Sequence, residues 1–198
     1  MPALAISPWL LPALFALVVG DAFFVVLPSE TLVVALAALA GATGSPPLAP
    51  IIAVAAVGAI TGDALCFAIG RAAGLDRWRW QRMRPVSRAI DRARAAIVTR
   101  PAVLIFTARY VPFARIAVNL TAGASGLSWR RFLPLSMAAG TAWALYNSIV
   151  GAFFGAVLAD HPVLAIVISV VVAIIIGLVV DALVARAIRR REARESDQ

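Results

Sequence analysis

Two arginines bracket a proline in the stretch TARYVPFARIAVNLTAG, residues 107–123. Arg109 and Arg115 stand either side of Pro112 and are otherwise surrounded by apolar residues. An arginine at the centre of a membrane helix costs roughly 2.5–3.5 kcal/mol on insertion scales, so charges kept there mark a substrate or ion path. A guanidinium grips phosphate through two parallel hydrogen bonds and does not lose its charge. Pro112 interrupts a helix between the two, and backbone N–H groups freed at the break add donors, as at a helix N-terminus. Three carboxylates lie in similar surroundings: Asp21, Glu30 and Asp63. Set against two arginines they leave one negative charge over, and the carboxylate that carries it is a natural proton carrier. The five charges can instead be read as mutually neutralising pairs that hold the segments together; the residue types alone leave both readings open.

These charges sit in a chain of 198 residues, 62% hydrophobic with a mean hydropathy of +0.93, which places it in the membrane class. The net charge is +8, and all 18 basic residues are arginine. Residues 71–100 hold nine arginines against Asp76 and Asp91, and the tail from Arg186 holds five against three acids. By the positive-inside rule both segments are expected in the cytoplasm, which gives a multi-pass protein of the cytoplasmic membrane with a cytoplasmic C-terminus. Nucleic-acid binding is disfavoured, because the arginines flank apolar segments and few aromatics accompany them. Cys66 and His161 are the single cysteine and the single histidine, so neither a metal cluster nor a Ser-His-Asp triad has its parts; no enzyme activity, metal or cofactor is expected. No basic residue precedes the first apolar run, and a cleaved signal peptide is not indicated.

The elements that must position the charges follow from hydropathy. Residues 8–27, 51–70, 132–158 and 163–184 are each long enough to cross about 30 Å of hydrocarbon as helix. The second of these carries Gly58-xxx-Gly62 directly before Asp63, a spacing that permits close helix approach. The runs 28–43 and 101–127 are short or broken by proline. With the centre and the tail on one side and two crossings after residue 131, segment 101–127 must return to the face it left: a re-entrant hairpin. The same logic makes 28–43 a hairpin entering from the opposite face. Broken backbone at membrane depth survives where it is buried in protein or lines a wet cavity. Trp78 and Trp80 suit a headgroup-level belt, and SRAIDRARAAIVTR, with Ile90, Ala93 and Ile97 on one face, suits a surface-lying amphipathic helix. FVVLPSETLVVALAALAG and TARYVPFARIAVNLTAG are each followed by a Gly-rich span. The expected fold is therefore all-α, an inverted repeat of a Pro-tipped hairpin plus transmembrane helix with one extra C-terminal transmembrane helix. Residues 1–185 form one membrane domain and 186–198 a basic cytoplasmic tail. Such repeats place substrate near the midplane at discontinuous helices. Tyr146, Asn147 and Ser148 either line that cavity or pack helices.

LPSE at 27–30, GAITGDALCFAIGRAAG at 58–74, ARYVPFARIAVNLTAG at 108–123 and AAGTAWALYNSIVGAFFG at 138–155 resemble the DedA family of bacterial membrane proteins, the group sharing the VTT domain. The resemblance covers roughly residues 10–160, and the R-x2-P-x2-R spacing is its most specific element. It implies transbilayer movement of lipids linked to the proton motive force, with a polyprenyl phosphate carrier as cargo; a phospholipid scramblase and a proton-coupled small-ion or drug antiporter are the alternatives. On this reading Arg109, Arg115, Pro112 and Asn119 bind an anionic lipid headgroup, and Glu30, Asp63 and Asp21 couple protons. An oligomer is compatible with it. The chain departs from the family in two places: Ser29 stands where glycine is frequent, and the family's upstream acid lies about a helix turn further from LPSE than Asp21 does.

Overall fold

The computed structural model describes residues 7–24, 28–74, 95–109, 112–161, 163–173, 175 and 179. Expectations that concern Trp78 and Trp80, most of the arginine-rich segment and the tail fall outside them. The described residues are helical with no strand: α1 Leu10–Asp21, α2 Ser29–Thr43, α3 Leu48–Ala73, α4 Pro101–Ala108, α5 Pro112–Ala124, α6 Trp129–Val157 and α7 Val163–Ala173. Proline does the punctuating. Pro28 and Pro47 precede α2 and α3, while Pro101 and Pro112 open α4 and α5, the first-turn position where its missing N–H costs nothing. α2 stops at Gly44, which takes a left-handed φ of 73° and returns its N–H to the Ala40 carbonyl at 2.8 Å.

Two expectations change. The apolar run 8–27 is not one spanning helix: α1 ends at Asp21, and the chain turns at Ala22 and Phe23. The reason is lateral. Arg115 donates to the Asp21 carbonyl at 2.8 Å, and the Cys66 thiol donates to the Ala22 carbonyl at 3.2 Å. Orphan carbonyls at a helix end are thus satisfied by neighbouring elements, and a cation there suits the helix dipole. Nor is 28–43 a hairpin in itself; Ser29–Thr43 is one helix, uninterrupted because nothing between Pro28 and Gly44 breaks it. The hairpin of the first half is α1 and α2 together. Segment 101–127 has the expected break, with Arg109 closing α4 and Pro112 opening α5.

Small residues set the packing. A side chain added at Gly123 would run into the carbonyl of Phe67, and one at Gly70 into that of Leu120, so α3 and α5 touch backbone to backbone. Gly151 and Gly155 of α6 lie in the same way against Val34, Ala37 and Ala38 of α2, and Gly41 of α2 against Ala152. Asp63 meets Asn119 and Phe67 meets Gly123, so α3 runs parallel to α5; Val34 meets Gly151 and Ala38 meets Gly155, so α2 runs parallel to α6. α1 lies on α3 where Gly58 faces Val18 and Gly62 faces Ala22, as the Gly-xxx-Gly spacing suggests, and α3 crosses α6 where Gly140 meets Ile60. Phe67 stacks on Phe132 at a centroid distance of 4.1 Å where α3, α5 and α6 converge.

Many outward-facing side chains of the described helices are large and apolar. The interior is rich in alanine and holds Ser29, Asp63, Asn119, Ser136, Asn147 and Ser148. The outside carries Val57, Leu65 and Ile69 on α3, Ile149 and Phe153 on α6, and Val163 and Val167 on α7. Exposed apolar surface on this scale calls for a partner that is itself apolar. Among the described residues, α3 meets the length and apolarity needed to cross a membrane, with a mean hydropathy of 2.0 over its most apolar window. α1, α2 and α7 are shorter apolar helices.

Candidate functional site

The breaks between α1 and α2 and between α4 and α5 carry opposite charge. Asp21 ends α1 and Glu30 lies in the first turn of α2; Arg109 follows α4 and Arg115 lies in the first turn of α5. Asp63, midway along α3, is 2% exposed. Its Oδ2 accepts from Arg109 Nη1 at 2.6 Å and from the Ser136 hydroxyl at 3.1 Å, and its Oδ1 accepts from the Asn119 amide at 2.9 Å. Three donors from α4, α5 and α6 therefore converge on one buried carboxylate, which is the condition under which a charge is tolerated away from water. The Arg109 guanidinium also lies over the Trp143 ring, 5.4 Å from its centroid, a cation–π arrangement.

Arg115 makes the second pair. Its Nη2 reaches both the carbonyl and Oδ2 of Asp21, at 2.8 and 3.1 Å. This pair is wetter than the first, with side chains 11% and 17% exposed against 3% and 2% for Arg109 and Asp63. Arg115 Nε is buried and has no hydrogen-bond partner among the described residues. Cys66 lies within the electrostatic reach of both Asp63 and Arg115, joining the two pairs into one polar tract. Glu30 extends the tract: its charged neighbours are Asp21 and Arg115, and its hydrogen-bonding neighbour is the Asn147 side chain of α6.

All five ionisable residues singled out from the sequence thus fall in one tract. Asn119 belongs to it as well, although it faces Asp63. Pro112 opens α5 beside it. The allocation of partners is more specific than the residue types allowed. Asp63 takes Arg109, Asp21 takes Arg115, and Glu30 is the carboxylate left over. Asp21 pairs with Arg115 although it lies closer to LPSE than the family's upstream acid does. Ser136 and Trp143 were not expected. Their signal is a stripe along α6: Ser136, Gly140, Trp143, Asn147 and Gly151 recur at helical spacing and are all buried. Tyr146 lies off that stripe, and its hydroxyl donates to the Ala173 carbonyl at 2.9 Å, tying α6 to α7. No group of three metal-ligating side chains occurs among the described residues.

Two guanidinium groups, each held by a carboxylate that an incoming anion can replace, make this tract chemically suited to exchange ligands on arginine. Comparison with curated proteins and with solved structures returns no match. The family model for the VTT domain matches residues 27–153, which takes in α2 to most of α6 and every residue of the tract except Asp21. With more than half of its length matched, this chain belongs to the VTT-domain family, the DedA family of membrane proteins.

Proposed function

We propose that the protein is a proton-linked translocase for an anionic lipid of the cytoplasmic membrane, with a polyprenyl phosphate as cargo, and that it is not an enzyme. The observation that carries this reading is the pairing of both arginines at the second break with acids from the first half, Arg109 with Asp63 of α3 and Arg115 with Asp21 at the first break. A phosphate headgroup offers the same geometry to a guanidinium as a carboxylate does. It can displace either acid and leave a carboxylate that takes up a proton. Release of the cargo restores the pair and returns the proton. Binding and protonation are then linked, and the linkage is reciprocal.

The opposite course of the two halves supports alternating access. α2 and α3 are joined by a short turn and run antiparallel; α5 runs parallel to α3. Hence α2 and α5, the helices that follow the two breaks, run in opposite directions. Each also packs on the long helix of the other half, α2 on α6 and α5 on α3. This is the pattern of an inverted repeat, whose re-entrant breaks meet near the midplane. The two arginine-rich segments and the C-terminus face the cytoplasm on this reading, and the outward-facing Val, Ile and Phe side chains face lipid.

The test is cargo. Proteoliposomes holding labelled polyprenyl phosphate or labelled zwitterionic phospholipid, with and without a pH gradient, separate the readings. Gradient-dependent movement of the phosphate lipid, lost in Arg109→Lys and Arg115→Lys, is the expected result. Equal, gradient-independent movement of both lipids would make the protein a scramblase, and movement of neither would overturn lipid translocation.

A further inference from the structure

The four helices that supply the Asp63–Arg109 cluster continue past it in step. One turn beyond Asp63 on α3 stands Phe67, and one turn further Arg71, whose Nη1 donates to the Leu127 carbonyl at 3.0 Å. α6 runs the other way. Counting back from Ser136, which donates to Asp63, Phe132 and then Trp129 follow at steps of about one turn. α4 places Ile105 one turn before Arg109 and has Arg100 at its start. On α5, Gly123 lies one turn past Asn119, against the Phe67 carbonyl. Three levels result: the buried ion pair, an apolar level and an arginine rim.

The apolar level is closed. Phe67 and Phe132 are both fully buried and stack at a centroid distance of 4.1 Å, with 22° between their planes. Ile105, Ala122 and Leu127 belong to the same buried cluster. Trp129 meets Phe67 edge-on at 4.5 Å, and beyond it Arg71, Arg130 and Arg131 are exposed. The far side of the tract is looser. The Asp21 and Arg115 side chains are 17% and 11% exposed against 2% and 3% for Asp63 and Arg109. Arg115 stands one turn before Asn119 on α5, so exposure rises with distance from the two rings.

The rings also lie on the seam that can part. α3 and α5 touch backbone to backbone at Gly70 and Gly123, and separating them means moving a helix. α3 meets α6 through side chains: Phe67 on Phe132, and Ile60 beside Gly140. Side chains hop between staggered rotamers, so such a contact opens without breaking a backbone approach.

We propose that Phe67 and Phe132 form the gate of the charged tract on its arginine-rich side, and that the gate is shut in this conformation. The inference rests on the translocase reading for what passes the gate, and on packing alone for where it lies. An anionic headgroup drawn to Arg71, Arg130 and Arg131 reaches Arg109 from that side only when the rings part.

The test reads access from each face and needs no cargo. In a Cys66→Ala background, Ser136→Cys places a thiol directly behind Phe132, while Arg71→Cys, at an exposed position, identifies the arginine-rich face. Sealed membrane vesicles holding the full-length protein are offered a small, cationic, membrane-impermeant thiol reagent from either face. With both rings present the Ser136→Cys thiol should label slowly from the arginine-rich face. Adding Phe67→Ala or Phe132→Ala should speed labelling severalfold from that face alone. Ile51→Ala, which removes buried apolar volume near the other end of α3, should leave the rate unchanged. If an alanine variant is lost from the membrane, Phe132→Leu keeps apolar bulk without the stacked face and should give a smaller gain from the same face. Labelling that stays slow in folded ring variants would make the pair core packing only. A gain from both faces, or an equal gain in Ile51→Ala, would make it general loosening. Either result overturns the proposal, as does fast labelling from the arginine-rich face with both rings in place. A ring-dependent gain in a protein that moves no lipid sustains the gate and removes the translocase reading instead.

Discussion

Replacing Asp63 with asparagine keeps the shape of the side chain and removes its charge. The Arg109 side chain is 3% exposed. Asp63 accepts three hydrogen bonds, so the new amide NH2 must face at least one of the donors from Arg109, Asn119 and Ser136. Breaking a buried ion pair by removing one partner costs about 3–5 kcal/mol. At roughly 2–4 °C per kcal/mol for a chain of this size, the melting midpoint should fall by about 6–20 °C. A double replacement, Asp63→Leu with Arg109→Met, removes both charges and is expected to melt near the parent, because apolar substitution of a whole buried pair is often neutral or stabilising. The assay is thermal unfolding in mild detergent, followed by circular dichroism, with the two single variants and the double variant closing a cycle. The double variant should be stable and inactive in lipid translocation, which separates the structural from the functional use of the pair. A midpoint for Asp63→Asn within about 2 °C of the parent, less than 1 kcal/mol on the same scale, would refute the assignment of Asp63 as the buried counter-charge of Arg109.

Three further outcomes are expected. Arg115→Lys keeps the charge but loses the fork, and it should slow translocation roughly tenfold or more, the worth of one charge-assisted hydrogen bond, with membrane content unchanged; parental transport rates would exclude phosphate recognition by Arg115. Gly123→Ala and Gly155→Ala each push a methyl group into the backbone of a parallel neighbour, Phe67 or Ala38, and should destabilise by similar amounts of about 1–3 kcal/mol or more; a harmless change at either site would show that the close approach there is not needed. Single cysteines placed in residues 71–100 and 186–198, in a Cys66→Ala background, should resist an impermeant thiol reagent in intact cells, and labelling from outside would reverse the orientation.

The charged residues were legible in the sequence because apolar surroundings make each of them expensive, and expense is visible one residue at a time. Pairing was not. Asp63 and Asn119 are far apart in sequence and meet only because Gly70 and Gly123 let α3 and α5 come into backbone contact. Asp21 looked displaced when judged by its distance along the chain from LPSE, yet the turn at Ala22 and Phe23 brings it to Arg115. The end of α1 was missed for a related reason: hydropathy continues through residues 22–27, and the groups that end the helix, Arg115 and Cys66, come from elsewhere in the chain. Asn147 was visible as a polar residue in an apolar run, but its neighbour Glu30 is set by the register of α2 on α6. The break at Pro112 needed no tertiary information and is where it was expected.

The division of charge between the two halves has a consequence for how the protein is made. All three acids precede both arginines. Asp63 is separated from Arg109 by 46 residues and Asp21 from Arg115 by 94. At about 5–20 residues per second, Asp63 waits about 2–9 s for its partner and Asp21 about 5–19 s. A nascent chain that has reached residue 100 therefore holds three carboxylates in apolar helices before Arg109 and Arg115, the arginines that pair with two of them, have been made. Until the second half arrives they are tolerable only protonated or in contact with water, so the first half is a substrate for membrane quality control in that interval. Synthesis itself becomes a folding constraint: slowing elongation between residues 74 and 101 lengthens that exposure, and a second half supplied in trans shortens it.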